Sequence, residues 1–211
     1  LTTFKQVVKH CRRLGIEKIA ITDHDTAEGA LALARLEPDL VIVGEEIMTS
    51  EGELLAFFLQ ETIPPGLSPE ETIRRLREQD AFISVSHPFD RLRNGAWTKE
   101  QLDRIIGLVD AIEVYNARCI WQSDNAQAAA YAQEHGVLGT VGSDAHIPFE
   151  LGQATLMMQP FEGAGSFAES LSTAEQVVRL SPAWVHGFSK LAKWQRKYAR
   201  RSMPLLRGDE L

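Results

Sequence analysis

The sequence is poor in cysteine and in long apolar runs. Cys11 and Cys119 are its only cysteines, far apart and without CxxC spacing. That excludes a disulfide framework and a thiolate zinc or redox motif, and both read as small apolar residues in a reducing compartment. No apolar run approaches the roughly 18–20 residues needed to span a bilayer, and no signal peptide is visible. The cytoplasm is therefore the expected location. Internal repeats, low-complexity tracts and a linker that would divide the chain are also missing.

What is present suits a soluble α/β protein. The 211 residues are 44% apolar and 24% charged, enough for one substantial core. The net charge of −7 is uneven: residues 183–211 hold seven Lys/Arg against Asp209 and Glu210, a local +5 that leaves −12 on the rest. So acidic a body is a poor general nucleic-acid surface. The chain opens on Leu1 rather than Met, as a piece of a longer product would.

Phe4, Val7, Val8, Cys11 and Leu14 recur at helical spacing before Gly15. The pattern then predicts a strand over 16–21, a helix over 26–36 with Thr26 at its N-cap, a strand over 40–44 and another over 52–59. Ser68-Pro69-Glu70-Glu71 starts a helix with a capping box. Strands over 81–86, 109–115, 137–141 and 154–158 alternate with helices over 98–107 and 121–135. Such alternation predicts βαβ units in one α/β domain, a barrel or a doubly wound sheet, whose ligand sites gather beyond the carboxyl ends of parallel strands.

That rule turns each strand end into a test. The strand at 16–21 runs into Thr22-Asp23-His24-Asp25, the one at 40–44 into Glu45-Glu46, the one at 81–86 into His87-Pro88, and the one at 137–141 into Gly142-Ser143-Asp144-Ala145-His146. Any one of these histidines fits a structural role. Three of the six histidines beyond the same end of the sheet, with Asp144 and Glu46, point to a metal site. Imidazole and carboxylate without thiolate suits Zn²⁺, Mn²⁺ or Fe²⁺ better than an all-oxygen Mg²⁺ site. Ions in such a site polarise a phosphoryl group and lower the pKa of bound water. His10, His135 and His186 lie away from strand ends and read as structural.

In order and spacing, "ITDHDT", "GEE", "SHPFD" and "GSDAH" resemble the polymerase and histidinol phosphatase (PHP) family of metal-dependent phosphoesterases. The resemblance covers nearly all of residues 1–160 and implies a distorted (β/α)7 barrel. The barrel would occupy residues 1–182, with its metals at the carboxyl face. By the same resemblance the metal ligands are His24, Glu46, His87, Asp144 and His146, with Asp23 as a further ligand or supporting group. They would hold two, or three, ions of Zn, Mn or Fe. Asp23 or His146 would hand the leaving group its proton. Glu45 should face away from Glu46, since neighbours on a strand alternate. The family opens on a strand ending in His-x-His, which this sequence does not contain. Its further histidine, on the strand after G-x-E, finds Leu54 or a neighbour in its place.

Cations near these motifs are candidates for phosphate: Arg91 and Arg93 after His87, and Arg118 after Asn116. Trp97 either packs on the rim or offers a platform to a substrate base. Phe188, Leu191, Trp194 and Tyr198 recur between basic residues, predicting an amphipathic C-terminal helix and tail over 183–211. Its apolar stripe would pack on the body or its charge would meet an anionic partner. The expected activity is hydrolysis of a phosphomonoester, a nucleotide or a short oligonucleotide end. Carbon–nitrogen hydrolysis on a related barrel lacks its usual strand-end lysine here. A metal-binding regulatory module without turnover is the alternative.

Overall fold

The computed structural model describes residues 3–93 and 95–182. The segment 183–211, where the amphipathic helix is expected, lies outside the described residues. In chain order the elements are α1 (Phe4–Leu14), β1 (Ile19–Ile21), α2 (Glu28–Leu36), β2 (Val41–Met48), β3 (Glu53–Phe57), α3 (Pro69–Arg77) and β4 (Phe82–Val85). They continue with α4 (Lys99–Ile105), β5 (Ala111–Asn116), α5 (Gln122–His135), β6 (Leu138–Gly142), β7 (Ala154–Met157), α6 (Gly163–Leu171) and β8 (Glu175–Val178).

Local chemistry explains most boundaries. Thr3 and Gln6 form a reciprocal capping box on α1, and Gly15 ends it in the left-handed conformation at φ 69°. Ser68 caps α3 by accepting the Glu71 N–H, with Pro69 in the first turn. Thr26 does not cap α2. Ala27 holds that position, and its N–H donates to Thr62 Oγ1 at 2.9 Å from a distant loop.

β1 to β6 form one sheet in sequential order. It is a mixed α/β fold whose sheet curls into a half-barrel, and among the described residues β1 and β6 are its edges. β1 runs parallel to β2, and β4, β5 and β6 run parallel to one another. β3 is antiparallel to both neighbours. Uninterrupted βαβ alternation therefore fails at one place, because only a tight turn joins β2 to β3. Thr49 closes that turn, its N–H and hydroxyl both donating to the Gly52 carbonyl. β2 is also longer than the predicted strand, so Glu45 and Glu46 lie within it rather than after it.

The strand pairing sorts the side chains into two faces. The outer face buries Ile47, Leu54, Ala56, Ile83, Val85, Ile112 and Val114 beneath α3, α4 and α5. The concave face grades along the strands. At one end Phe57 and Phe82 close around Phe167 of α6, the Phe82–Phe167 rings meeting edge to face at 4.8 Å. Midway, the Ser84 and Thr140 hydroxyls share a 2.8 Å hydrogen bond. At the other end the face turns acidic, with Glu46, Glu53 and Glu113 all buried. β7 and β8 make a separate ribbon; the sequence patterns had indicated neither β8 nor α6. Among the described residues, no helix is long and apolar enough to cross a membrane.

Candidate metal centre

Four side chains converge at the acidic end of the concave face. Glu46 comes from β2 and Glu53 from the first position of β3. His24 lies in the extended segment after β1, bridged to Glu46. His87 follows β4 and is 3% exposed. His24 Nδ1 lies 3.2 Å from Glu46 Oε2 and 3.7 Å from Glu53 Oε1. His87 Nε2 lies 3.1 Å from Glu46 Oε1 and 3.1 Å from Glu53 Oε2. Each carboxylate thus faces both imidazoles. His24, Glu46 and Glu53 each offer a ligand atom within 4.8 Å of the others.

The electrostatics of this quartet favour a cation. Burial alone would raise the Glu46 pKa, but His87, His24 and the Ser86 hydroxyl outweigh it and hold the carboxyl down at about 2. Burial likewise disfavours a charged His87, yet Glu46 and Glu53 lift it to about 10. Two carboxylates and two imidazoles, without thiolate, fit a borderline divalent ion in the place of that proton.

A second wall lies across the half-barrel, on the loops after β4, β5 and β6. Arg93 makes an ion pair with Asp144 and sits 3.5 Å from Asp90. His146 Nδ1 lies 2.9 Å from the Asp144 carbonyl and 3.4 Å from its carboxylate. Arg118 contacts His146, and its Nε is 3.2 Å from the fully buried Glu150. Glu150 also accepts the N–H groups of His146 and Ile147, which fixes the loop. Burial lowers the His146 pKa and Arg118 lowers it further, against Asp144. Three residues of these strand-end loops have positive φ without being glycine, Asp25 at 56°, His87 at 21° and Asp144 at 47°. Such strain concentrates where function holds the backbone in place.

Residues 122–175 match the family model described as PHP-associated. The half-barrel is similar to two solved structures. One is a two-domain protein of Bacteroides vulgatus containing a predicted PHP-like metal-dependent phosphoesterase, with TM-score 0.61, 20% identity, and 82% of this chain and 60% of that chain covered. The other, from Bifidobacterium adolescentis, is named for a metal-dependent phosphoesterase, with TM-score 0.57, 18% identity, and 69% and 83% covered. The fold is that of these PHP-like structures. The chain is also 42% identical over 117 residues to an uncharacterised protein of Methanocaldococcus jannaschii, a match covering 54% of this chain and 66% of that protein's own length.

The strand-end motifs of the sequence settle into the two walls. His24, Glu46 and His87 meet in the first wall, while Asp144 and His146 stand in the second with Arg93 and Arg118. Glu45 faces away, its Oε2 accepting the Ile63 N–H at 2.9 Å. Asp23 carries its carboxylate over Gly29 at the start of α2, where an added Cβ would lie 2.8 Å from Oδ2. Arg91 reaches outward, bonding Asp124 at 2.7 Å with its guanidinium 5.4 Å from the Trp121 ring centre. Trp97 is no base platform. It is 6% exposed, packs over Gly52 and donates to the Glu53 carbonyl.

Glu53 is the residue that sequence reasoning missed. The expected place for the PHP family's further histidine was Leu54 or a neighbour, but Leu54 is fully buried on the outer face. The strand-end rule looks beyond the last residue of each strand. β3 runs the other way, so its first residue sits at the mouth. The short turn between two apolar runs was the available sign, since only antiparallel strands can be joined so tightly.

Proposed function

We propose that this protein is a metal-dependent phosphoesterase of the PHP family, acting on a phosphomonoester, a nucleotide or a short oligonucleotide end. The quartet His24–Glu46–Glu53–His87, with an arginine-bearing wall opposite, carries this reading. The quartet would hold one divalent ion of Zn, Mn or Fe. Asp144 and His146 would contribute to a second, and a third would need ligands from outside the described set. When bound, such ions supply Lewis acidity that activates water and polarises the phosphoryl oxygens.

The chain's own residues do the rest. Arg93 and Arg118 present guanidinium groups beside the Asp144–His146 loop, suited to the equatorial oxygens of a phosphate. Arg91, already paired with Asp124, would act further out at the rim. Because the lowered pKa leaves His146 neutral near pH 7, it suits a ligand or proton acceptor better than a resting proton donor. Asp23 is the remaining candidate for that step.

A metal-binding regulatory module without turnover is the second reading, favoured by the Arg93–Asp144 pair, which already neutralises one expected ligand. Full-length protein loaded with Mn²⁺ and assayed on p-nitrophenyl phosphate and its bis-ester separates the two. Turnover that chelation abolishes supports the esterase. Tight Mn²⁺ binding with no turnover of either compound, or of a nucleotide panel, overturns it.

A further inference from the structure

Glu113, midway between the two walls, has no part in the reading above. It is 3% exposed at the acidic end of β5. A buried carboxylate is expensive unless fixed donors face it. Glu113 has two: its Oε2 accepts the His87 backbone N–H at 2.9 Å and the Asn116 side-chain N–H at 3.1 Å. Asn116 is itself immobilised, its backbone N–H and carbonyl bonding the Asn125 side chain of α5 at 3.0 and 3.1 Å. The other carboxylate oxygen occupies the space where any side chain at residue 142 would begin, so Gly142 is required for Glu113 to sit there. On the far side of the hydrogen bond stands His87, whose backbone is held at φ 21° and whose Nε2 faces both Glu46 and Glu53.

We infer that Glu113 is the positioning residue of the metal centre. It clamps the strained His87 backbone from behind, with Gly142 as its necessary cradle and Asn116 as its anchor to α5, and so sets where the imidazole points. Glu113 acts on His87 through the main chain and is not itself a ligand. A bond to the main chain works whatever the ring's protonation state. The inference rests on the metal reading of the site but not on the phosphoesterase reading.

The test is Mn²⁺ affinity, measured by calorimetry on the full chain for wild type, Glu113→Ala, Glu113→Gln and Gly142→Ala, with circular dichroism as the check on folding. Removing an outer partner of a metal ligand typically weakens affinity about 10–100-fold, and that loss is expected for Glu113→Ala. Gly142→Ala, which keeps both the carboxylate and the imidazole, is expected to weaken binding by at least about tenfold. Glu113→Gln keeps an oxygen for the His87 N–H and should stay within about threefold of wild type, half a decade in the equilibrium constant. This rescue separates positioning from loss of a buried charge. Folded Glu113→Ala or Gly142→Ala protein that binds Mn²⁺ like wild type overturns the inference, as does a Gln variant as weak as the Ala variant. If Glu113→Ala does not fold, the Gly142→Ala and Gln results decide by the same criteria. Wild type that takes up no Mn²⁺ overturns the metal reading and this inference together. Wild type that binds Mn²⁺ but hydrolyses nothing overturns only the phosphoesterase reading.

Discussion

The two ends of the concave face are made by the same strands and behave as opposites. β3 ends in Phe57 and begins in Glu53; β4 begins in Phe82 and is followed by Ser86 and His87. At the phenylalanine end, α6 covers the face and the rings of Phe57, Phe82 and Phe167 fill it. Among the described residues no helix covers the acidic end, and charge takes the place of rings. The difference separates two jobs within one sheet. One end stabilises by excluding water, while the other holds a costly arrangement of buried charge.

That division can be broken from either end. The largest effect should come from Phe167→Ala, which empties the plug and is expected to destabilise by about 3–5 kcal/mol in urea titrations. Metal affinity per folded molecule should not change; a parallel loss would mean that the two ends are coupled. Next, Glu46→Gln should weaken Mn²⁺ binding by more than about 100-fold, since loss of a ligand exceeds loss of a ligand's partner. The urea midpoint of the metal-free protein should fall as well, because His87 loses one of its two buried carboxylate partners. A fall in midpoint with unchanged metal affinity would make the carboxylate structural only.

Arg93→Gln tests the second wall. A charge-assisted bond to phosphate contributes about 1.5–3 kcal/mol, so KM for a phosphomonoester should rise roughly tenfold or more. Mn²⁺ affinity should hold or improve as Asp144 is released from its arginine. An unchanged KM would leave Arg93 as an ordinary ion-pair partner of Asp144.

The smallest effect concerns pH. Glu46, lowered from 4.5 to about 2, stabilises the metal-free fold fully above about 4.5 and loses that contribution as pH falls through 2. His87, raised from 6.5 to about 10, stabilises fully below about 6.5 and loses it as pH rises toward 10. The Tm of metal-free protein should therefore drop between pH 6.5 and 10. Added Mn²⁺ should raise Tm more at pH 9 than at pH 6, because the ion replaces the His87 proton. An equal Mn²⁺ shift at both pH values would show that proton and metal do not compete there.

Much of this was legible in the residues. Three histidines and two acids announced the mouth because parallel strands deliver whatever follows them to one edge, and that rule needs only the strand boundaries. It found His24, His87, Asp144 and His146 at once. It reached Glu46 although β2 runs on past that residue. It could not reach Glu53, which precedes its strand's apolar run and counts only once β3 is known to be reversed. Glu113 was visible in the fifth strand, but nothing local marks it as facing Gly142 and the His87 backbone.

The sequence by itself determined the periodicities, the helix caps at Thr3 and Ser68, and the edge at which its histidines and acids gather. All of these follow from short-range sterics and from which residues follow each strand. Tertiary structure decided the partnerships: which carboxylate faces which imidazole, that Arg93 stands on Asp144 while Arg91 turns to Trp121, and that Trp97 is buried over Gly52. Those are contacts between residues tens of positions apart. They exist only where the curl of the sheet brings strand ends together, and no local rule encodes that curl.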